Sequence, residues 1–300
     1  MTRQVVVGAG PVGRETARLL AERGDRVRLV SRRGTDAGRA NVEAVALDAS
    51  DSEALSRASE GAEALFMCAM PPYDRWPAEF PPIVEGSANA AQNVGARLLL
   101  AGNVYGYGED APSLLTPDLP LEPTTVKGRV RKDMWERALA ASVPALEVRA
   151  SDYLGHGAAS VFTLMVLPQV LAGRPAVMPG DPDAPHSWSF IRDVARTLVA
   201  ASSYSGAWGR AFHVPSFIAT TRELAARFAQ AEGVAQPNLR ALSREELRAL
   251  AERDPIMREV EEMAYLLAGR LVLDASETAA LLGVAPSPVE EAVADTLRGQ

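Results

Sequence analysis

Along its first 150 residues the chain alternates short apolar runs with longer segments in which apolar positions recur every three or four residues. Val5-Val6-Val7, Val27–Val30, Val42–Leu47, Ala64–Ala69, Arg97–Ala101 and Ala145–Arg149 read as six strands, the first of them a buried one. Between them Val12–Arg23, Asp51–Glu60, Ile83–Gly95 and Val126–Ser142 read as helices, with Gly24 and Gly61 stopping two of them. Such alternation predicts an α/β fold, a doubly wound parallel sheet with helices on both faces. After Ala150 the pattern loosens. Phe162–Ala172 and Ile191–Ser202 read as helices, and Pro175–Asp183 and Pro185 mark a loop expected to run on past His186 and Trp188. Ala211–Val214 reads as a last strand returned to the first sheet. Beyond Thr220 come amphipathic pieces, Arg222–Glu232, Ser243–Arg253, Pro255–Ala268, Ser276–Leu282 and Pro288–Arg298, with a short strand at Leu271–Leu273. The expected organisation is a sheet domain over 1–150 with a returning segment near 190–215, and an interleaved, mostly helical lobe over 151–300.

Composition narrows the function classes. With 47% hydrophobic and 23% charged residues, 300 residues can bury a large core, which excludes a disordered chain. The net charge of −7 with no basic tract makes nucleic acid and anionic membrane poor partners. A single cysteine, Cys68, excludes an internal disulfide, and His156, His186 and His213 are too scattered to suggest a metal site. No secretory h-region precedes Val5, and no apolar stretch approaches the ~20 residues that span a bilayer. The expectation is a soluble, cytoplasmic globular protein.

The sharpest motif is Gly8-Ala9-Gly10-Pro11-Val12-Gly13, a G-x-G-x-x-G that leaves a strand and enters a helix, with a second strand at βαβ distance. Its first glycine permits the tight turn, the second lets backbone approach a pyrophosphate, and the third lets helix and strand pack closely. The helix N-terminus, through Pro11 and Val12, would hold the anion. A plain glycine turn is the alternative. In this context the loop predicts a Rossmann dinucleotide site. NAD and FAD sites place an acid at the end of the second strand to hold the ribose hydroxyls. Here Ser31-Arg32-Arg33 stands there, 18 residues past Gly13. A guanidinium can clamp a 2′-phosphate that a carboxylate would repel, so the expected cofactor is NADP(H). The bland alternative is a solvated arginine pair in a turn before Gly34.

Further landmarks follow in order: Val45-Ala46-Leu47-Asp48, Phe66-Met67-Cys68-Ala69-Met70, Ala101-Gly102-Asn103-Val104-Tyr105-Gly106 and Phe190-Ile191-Arg192-Asp193-Val194-Ala195. On these the chain resembles the short-chain dehydrogenase/reductase superfamily, in its extended and atypical branches (NAD-dependent epimerase/dehydratase-like, NmrA-like and isoflavone-reductase-like). The resemblance covers essentially the whole chain, most loosely over the last 80 residues. It implies that Asp48 holds the adenine amino group, that Ala69 and Met70 line the cofactor, and that the nicotinamide carboxamide passes Ser151. The family's Ser/Thr position is Ala101, and its Y-x-x-x-K position falls on Lys127-Gly128-Arg129-Val130-Arg131, without tyrosine in that register or in the one starting at Gly128. The standard triad is absent, which disfavours an ordinary sugar epimerase or dehydratase. Lys127-Gly-Arg-Val-Arg131-Lys132-x-x-x-Glu136 instead looks like the K-x-K-V-R-R-x-x-E helix of isoflavone-type reductases, whose first lysine is the general acid/base. Burial and nearby positive charge can bring a lysine toward neutrality. Alternatively Lys127 only holds the ribose, or is a solvated helix entrance.

Asn103 and Tyr105, at the carboxyl end of the fifth strand, complete the catalytic candidates, although the asparagine could equally cap its loop. Tyr73, Trp76, Asn103, Tyr105, Tyr153, His186 and Trp188 are the residues expected to line an apolar substrate pocket. Three functions remain open. They are an NADPH-dependent reductase of a small hydrophobic or aromatic metabolite, an NADP-sensing regulator without catalysis, and a cofactor-retaining isomerase or cyclase. Family members pair through helices flanking the fourth and fifth strands, so the resemblance allows a homodimer.

Overall fold

A computed structural model describes residues 2–36 and 38–299. Strands β1 (Arg3–Val7), β2 (Arg26–Ser31), β3 (Val42–Ala46), β4 (Ala62–Met67), β5 (Arg97–Asn103), β6 (Ala145–Ala150) and β9 (Arg210–His213) form one seven-stranded sheet. Its order is β9-β6-β5-β4-β1-β2-β3, and every neighbouring pair is parallel. Order reverses between β1 and β4, the switch point outside whose carboxyl ends open α/β sheets bind ligands. This is the expected doubly wound α/β fold.

Both faces of the sheet are buried because both carry helices. On one face α1 (Pro11–Glu22) and α4 (Ile191–Ala201) pack over Val6, Leu29, Phe66 and Val148. On the other α2 (Trp76–Val94) and α3 (Val126–Ala140) cover Val5, Leu65, Leu98 and Met67. Each large side chain fully buried this way contributes about 1.5–3 kcal/mol. The return of β9 beside β6 interleaves the two halves of the chain.

The second lobe holds a three-stranded sheet of β7 (Asp152–Leu154), β8 (His186–Phe190) and β10 (Phe217–Ala219), in the order β10-β8-β7. Phe162, Leu167, Trp188, Phe190, Leu224 and Phe228 make its core. Helix α5 (Pro255–Glu262) leads into a 3-10 turn over Ala264–Leu267, and the latter part of this segment packs beneath Val104 and Tyr107. Among the described residues no helix is long and apolar enough to cross a membrane.

Three local expectations are corrected. His186–Phe190 is a strand, not a loop; both faces of β8 are buried, so its residues show no alternation. Helix α2 begins at Trp76 rather than Ile83, carrying Pro81 and Pro82 inside it. Trp76 and Phe80 share one buried face, while the two prolines lie on the exposed side. Phe162–Ala172 is a π-helical turn (Phe162–Val166) followed by a short α-helix (Leu167–Leu171).

Candidate active site

At the switch point the glycine loop has the geometry of an anion cradle. Gly8 adopts φ +106°, and a Cβ there would lie 2.5 Å from the backbone of Ala69. A Cβ at Gly13 would lie 1.8 Å from the Gly8 carbonyl oxygen, which is how closely α1 approaches β1. A Cβ at Gly10 would meet nothing within 4 Å. The space above Gly10 is therefore open to a ligand and would be filled by any side chain. Gly10 caps α1 without a side-chain hydrogen bond, Pro11 follows, and the first turn contains no acid. Its unpaired N–H groups and the helix dipole favour an anion there. The loop carrying Gly155 and Gly157 forms the facing wall, since a Cβ at Gly157 would touch Pro11 at 3.1 Å. These residues fit a dinucleotide's pyrophosphate.

At the end of β2 the Ser31 hydroxyl accepts from the Thr35 N–H at 3.0 Å. Arg32 and Arg33 are exposed in the following turn, with no carboxylate partner among the described residues. Asp48 lies close enough to feel the charge of Arg32, but is held chiefly by the N–H and hydroxyl of Ser50, at 3.0 and 2.8 Å, which lower its pKa. Cys68 is buried beside the glycine loop, and burial pushes its thiol up to about 12, as for a packing residue rather than a nucleophile.

Past the loop, aromatic rings and cations assemble from three elements. Tyr73 and Tyr105 bring their hydroxyls to 3.3 Å. Trp76 stacks on Tyr105 with centroids 5.7 Å apart and meets Tyr73 and Phe80 edge-on. Lys127, the second residue of α3, is 1% exposed and places Nζ 4.5 Å from the centre of the Tyr73 ring. It is ion-paired with Glu259 and, at 3.4 Å, with Glu262 of α5. Burial lowers the Lys127 pKa, opposed by the negative charges of Glu262 and Asp74. One turn along α3, the Arg131 guanidinium lies between Trp76 and Phe80, 4.5 and 4.7 Å from their centroids. It donates to the Ala101 carbonyl at 3.3 Å, its buried Nε has no partner, and no carboxylate pairs with it among the described residues.

The second lobe supplies the opposite wall. The Nε2 of His186 lies 2.8 Å from Asp152 Oδ2 and 3.2 Å from Ser151 Oγ, while its buried Nδ1 has no partner. With Asp152 ionised, Nε2–H is the donor. Burial raises the Tyr73 and Tyr105 hydroxyl pKa values, and the Asp152 charge adds to both. Tyr153 is pushed up to about 12 by burial, with Arg131 pulling against it.

Lys127, Tyr73, Tyr105, Tyr153, Ser151 and His186 are thus brought to one region, with Arg131 and Asp152 added by the fold. Asn103 is turned to its own loop, accepting from the Tyr105 N–H at 3.1 Å. Two expected pocket residues lie elsewhere. Trp188 is 1% exposed in the second-lobe core, and its indole N–H donates to the Ala219 carbonyl at 3.0 Å. Trp76, also 1% exposed, supports Tyr105 and Arg131 from behind instead of rimming a pocket. Met70 is 55% exposed beyond Ala69. Glu259 and Glu262 escaped sequence reasoning. Their only signal is an i,i+3 spacing of acids that any solvated helix can carry.

Residues 8–142 match the protein-family model described as NAD(P)H-binding. No curated protein matches the chain. Among solved structures, the Bordetella bronchiseptica enzyme WbmH, in complex with NAD+, superposes with a TM-score of 0.78 at 19% identity, covering 100% of this chain and 98% of that one. UDP-glucuronic acid 4-epimerase from Bacillus cereus, in complex with NAD, gives 0.79 at 13% identity over 99% and 96% of the two chains. DesIV, a dTDP-glucose 4,6-dehydratase from Streptomyces venezuelae, gives 0.77 at 18% identity over 99% and 96%. Residues 8–142 thus match an NAD(P)H-binding family model, and the solved structures, among them a 4-epimerase and a 4,6-dehydratase, share the fold of the whole chain.

Proposed function

We propose that this chain, with its NAD(P)H-binding domain and extended short-chain dehydrogenase/reductase fold, is an NADP(H)-dependent reductase of a small, hydrophobic or aromatic, unphosphorylated metabolite. The observation that carries the cofactor reading is the open cradle at Gly10 followed, at the end of β2, by Arg32 and Arg33 with no carboxylate partner among the described residues. The backbone of Gly8–Gly13 would hold the pyrophosphate, and Ser31, Arg32 and Arg33 the 2′-phosphate. Asp48 would take the adenine, and Ala69, Met70, Ala101 and Ser151 would line the path to the nicotinamide. Arg131 stands where the family's lysine stands, and its unpartnered donor supports a role in holding the nicotinamide ribose. When bound, the dinucleotide supplies the hydride.

The chain's own residues would manage charge and shape. Lys127 would hold a proton, or an opposing charge, against a developing alkoxide or enolate beside Tyr73 and Tyr105. Glu259, Glu262 and Asp152 place three carboxylates around the same region, the first two on the Lys127 ammonium and the third on the His186 ring. That arrangement disfavours a diphosphate such as the nucleotide portion of UDP-glucuronic acid, with which a B. cereus epimerase neighbour is complexed. Tyr73, Tyr105 and Tyr153 supply flat apolar surface for a ring or an alkyl body.

A carbonyl and enone panel with the NADPH-loaded protein tests this reading by loss of the cofactor's fluorescence. Turnover of at least one compound, cut at least ~10-fold in Lys127→Ala with NADPH affinity retained, is the expected result. Unchanged turnover in that variant would remove Lys127 from the mechanism. One observation favours a second reading, an NADP-sensing protein without turnover: Lys127 and His186 are both buried and already paired with acids. Such a protein would keep its NADPH fluorescence against the whole panel.

A further inference from the structure

The chain carries 29 arginines and only two lysines, Lys127 and Lys132. In a sequence that writes nearly every cation as arginine, a buried lysine stands out, because only an ammonium can readily give up its proton. That lysine is gripped from a segment about 130 residues away in sequence. Glu262 accepts from the backbone N–H groups of both Val126 and Lys127 with Oε1, and pairs with Lys127 Nζ through Oε2 at 3.4 Å. Glu259, one turn earlier on α5, reaches the same ammonium. Nζ also lies 4.5 Å from the centre of the Tyr73 ring, and with both acids engaged the ammonium has little freedom.

We propose that Glu259 and Glu262 are positioning residues for Lys127, a clasp supplied by α5 that fixes the ammonium on the face of Tyr73 and keeps it charged until substrate arrives. The proposal rests on the reading of Lys127 as the acting group of the site. Glu262 is suited to the task because its carboxylate also sits on the N-terminus of α3, where the helix dipole favours an anion. Its placement therefore follows α3 itself. The charged or titratable groups facing Lys127 are Glu259 and Glu262 on α5, Tyr73 and Asp74 on the turn before α2, and Arg131 on its own helix. The acids favour the protonated amine, and burial opposes them.

With two lysines in the chain, amine labelling reads this directly. Acetic anhydride is applied at a series of pH values, and peptide mass spectrometry follows Lys127 against Lys132, whose side chain is 37% exposed. In the wild type, Lys127 should label at least ~10-fold more slowly than Lys132. In the Glu259→Gln/Glu262→Gln double variant the Lys127 rate should rise at least ~3-fold relative to Lys132, and the midpoint of its pH profile should fall. Glu262→Asp should restore most of the wild-type profile. Glutamine preserves shape, so a merely structural contact would leave the midpoint in place, and that result would overturn the proposal. So would a wild-type Lys127 that labels as fast as Lys132. If the double variant does not fold, Glu259→Gln alone, which spares the helix cap, should lower the midpoint by a smaller amount; no change there also overturns it. Labelling needs neither cofactor nor substrate. Its failure would leave the NADP(H) reading standing, and failure of NADPH binding would leave the clasp standing.

Discussion

Replacing Gly10 by alanine separates binding from folding at the cofactor loop. Gly10 has φ −72° and ψ 179°, an extended conformation alanine adopts freely, and the added Cβ meets nothing within 4 Å. The fold should therefore tolerate the change, and loss of glycine entropy in the unfolded chain should stabilise it by roughly 0.4–1 kcal/mol. The new methyl group would occupy the space above the α1 N-terminus that the pyrophosphate needs. Displacing one or two charge-assisted N–H bonds at about 1.5–3 kcal/mol each predicts an affinity loss of roughly 10- to 10⁴-fold for NADPH. Gly13→Ala is the contrasting control, because its Cβ would stand 1.8 Å from the Gly8 carbonyl and must push α1 off β1. The assay pairs NADPH fluorescence titration with thermal unfolding in the presence and absence of NADPH. Gly10→Ala should unfold at or above the wild-type temperature and lose the shift that NADPH gives the wild type. A Gly10→Ala protein that binds NADPH normally would refute the reasoning, as would one that melts several degrees lower.

Other perturbations probe the rest of the molecule. Arg131→Met removes a buried guanidinium with no carboxylate partner, so it should raise stability by about 1 kcal/mol or more in thermal melts. The same change should weaken NADPH by at least ~10-fold in titration. His213 is fully buried, its Nε2 2.7 Å from the Tyr107 hydroxyl, and burial followed by the charge of Arg149 lowers its pKa from 6.5 to about 4. The unfolded chain therefore binds the proton first, and stability present above pH ~6.5 should decline toward pH ~4 by up to about 3 kcal/mol. His213→Gln should flatten that part of the acid limb in urea melts run across the pH range.

The parts of this protein legible in its sequence are those with a local cause. The glycine loop and the arginine pair after β2 declare themselves within one βαβ unit, and the six-strand alternation before Ala150 is a succession of such units, because turn geometry and burial leave marks at fixed spacing. Trp188 misled because a strand buried on both faces shows no alternation, and the proline-rich stretch before it reads as continuing loop. Trp76 misled because Pro81 and Pro82 conceal a helix whose buried face begins before them. The clasp on Lys127 was illegible for a different reason. Glu259 and Glu262 lie on an amphipathic helix like any other, and only the packing of α5 against the turn holding Tyr73 gives their charges a partner. Likewise, nothing near His186 announces Asp152, which pairs with it because β7 and β8 run side by side.

The most direct test is a fluorescence titration of NADPH and NADH against the wild-type protein and Arg32→Ala. An exposed guanidinium on the 2′-phosphate contributes up to about 1 kcal/mol, which predicts NADPH binding up to ~5-fold tighter than NADH through Arg32. Arg32→Ala should abolish most of that difference by weakening NADPH alone. Equal affinity of the wild type for the two dinucleotides, or an equal loss of both in Arg32→Ala, would contradict the assignment of this fold to NADP(H).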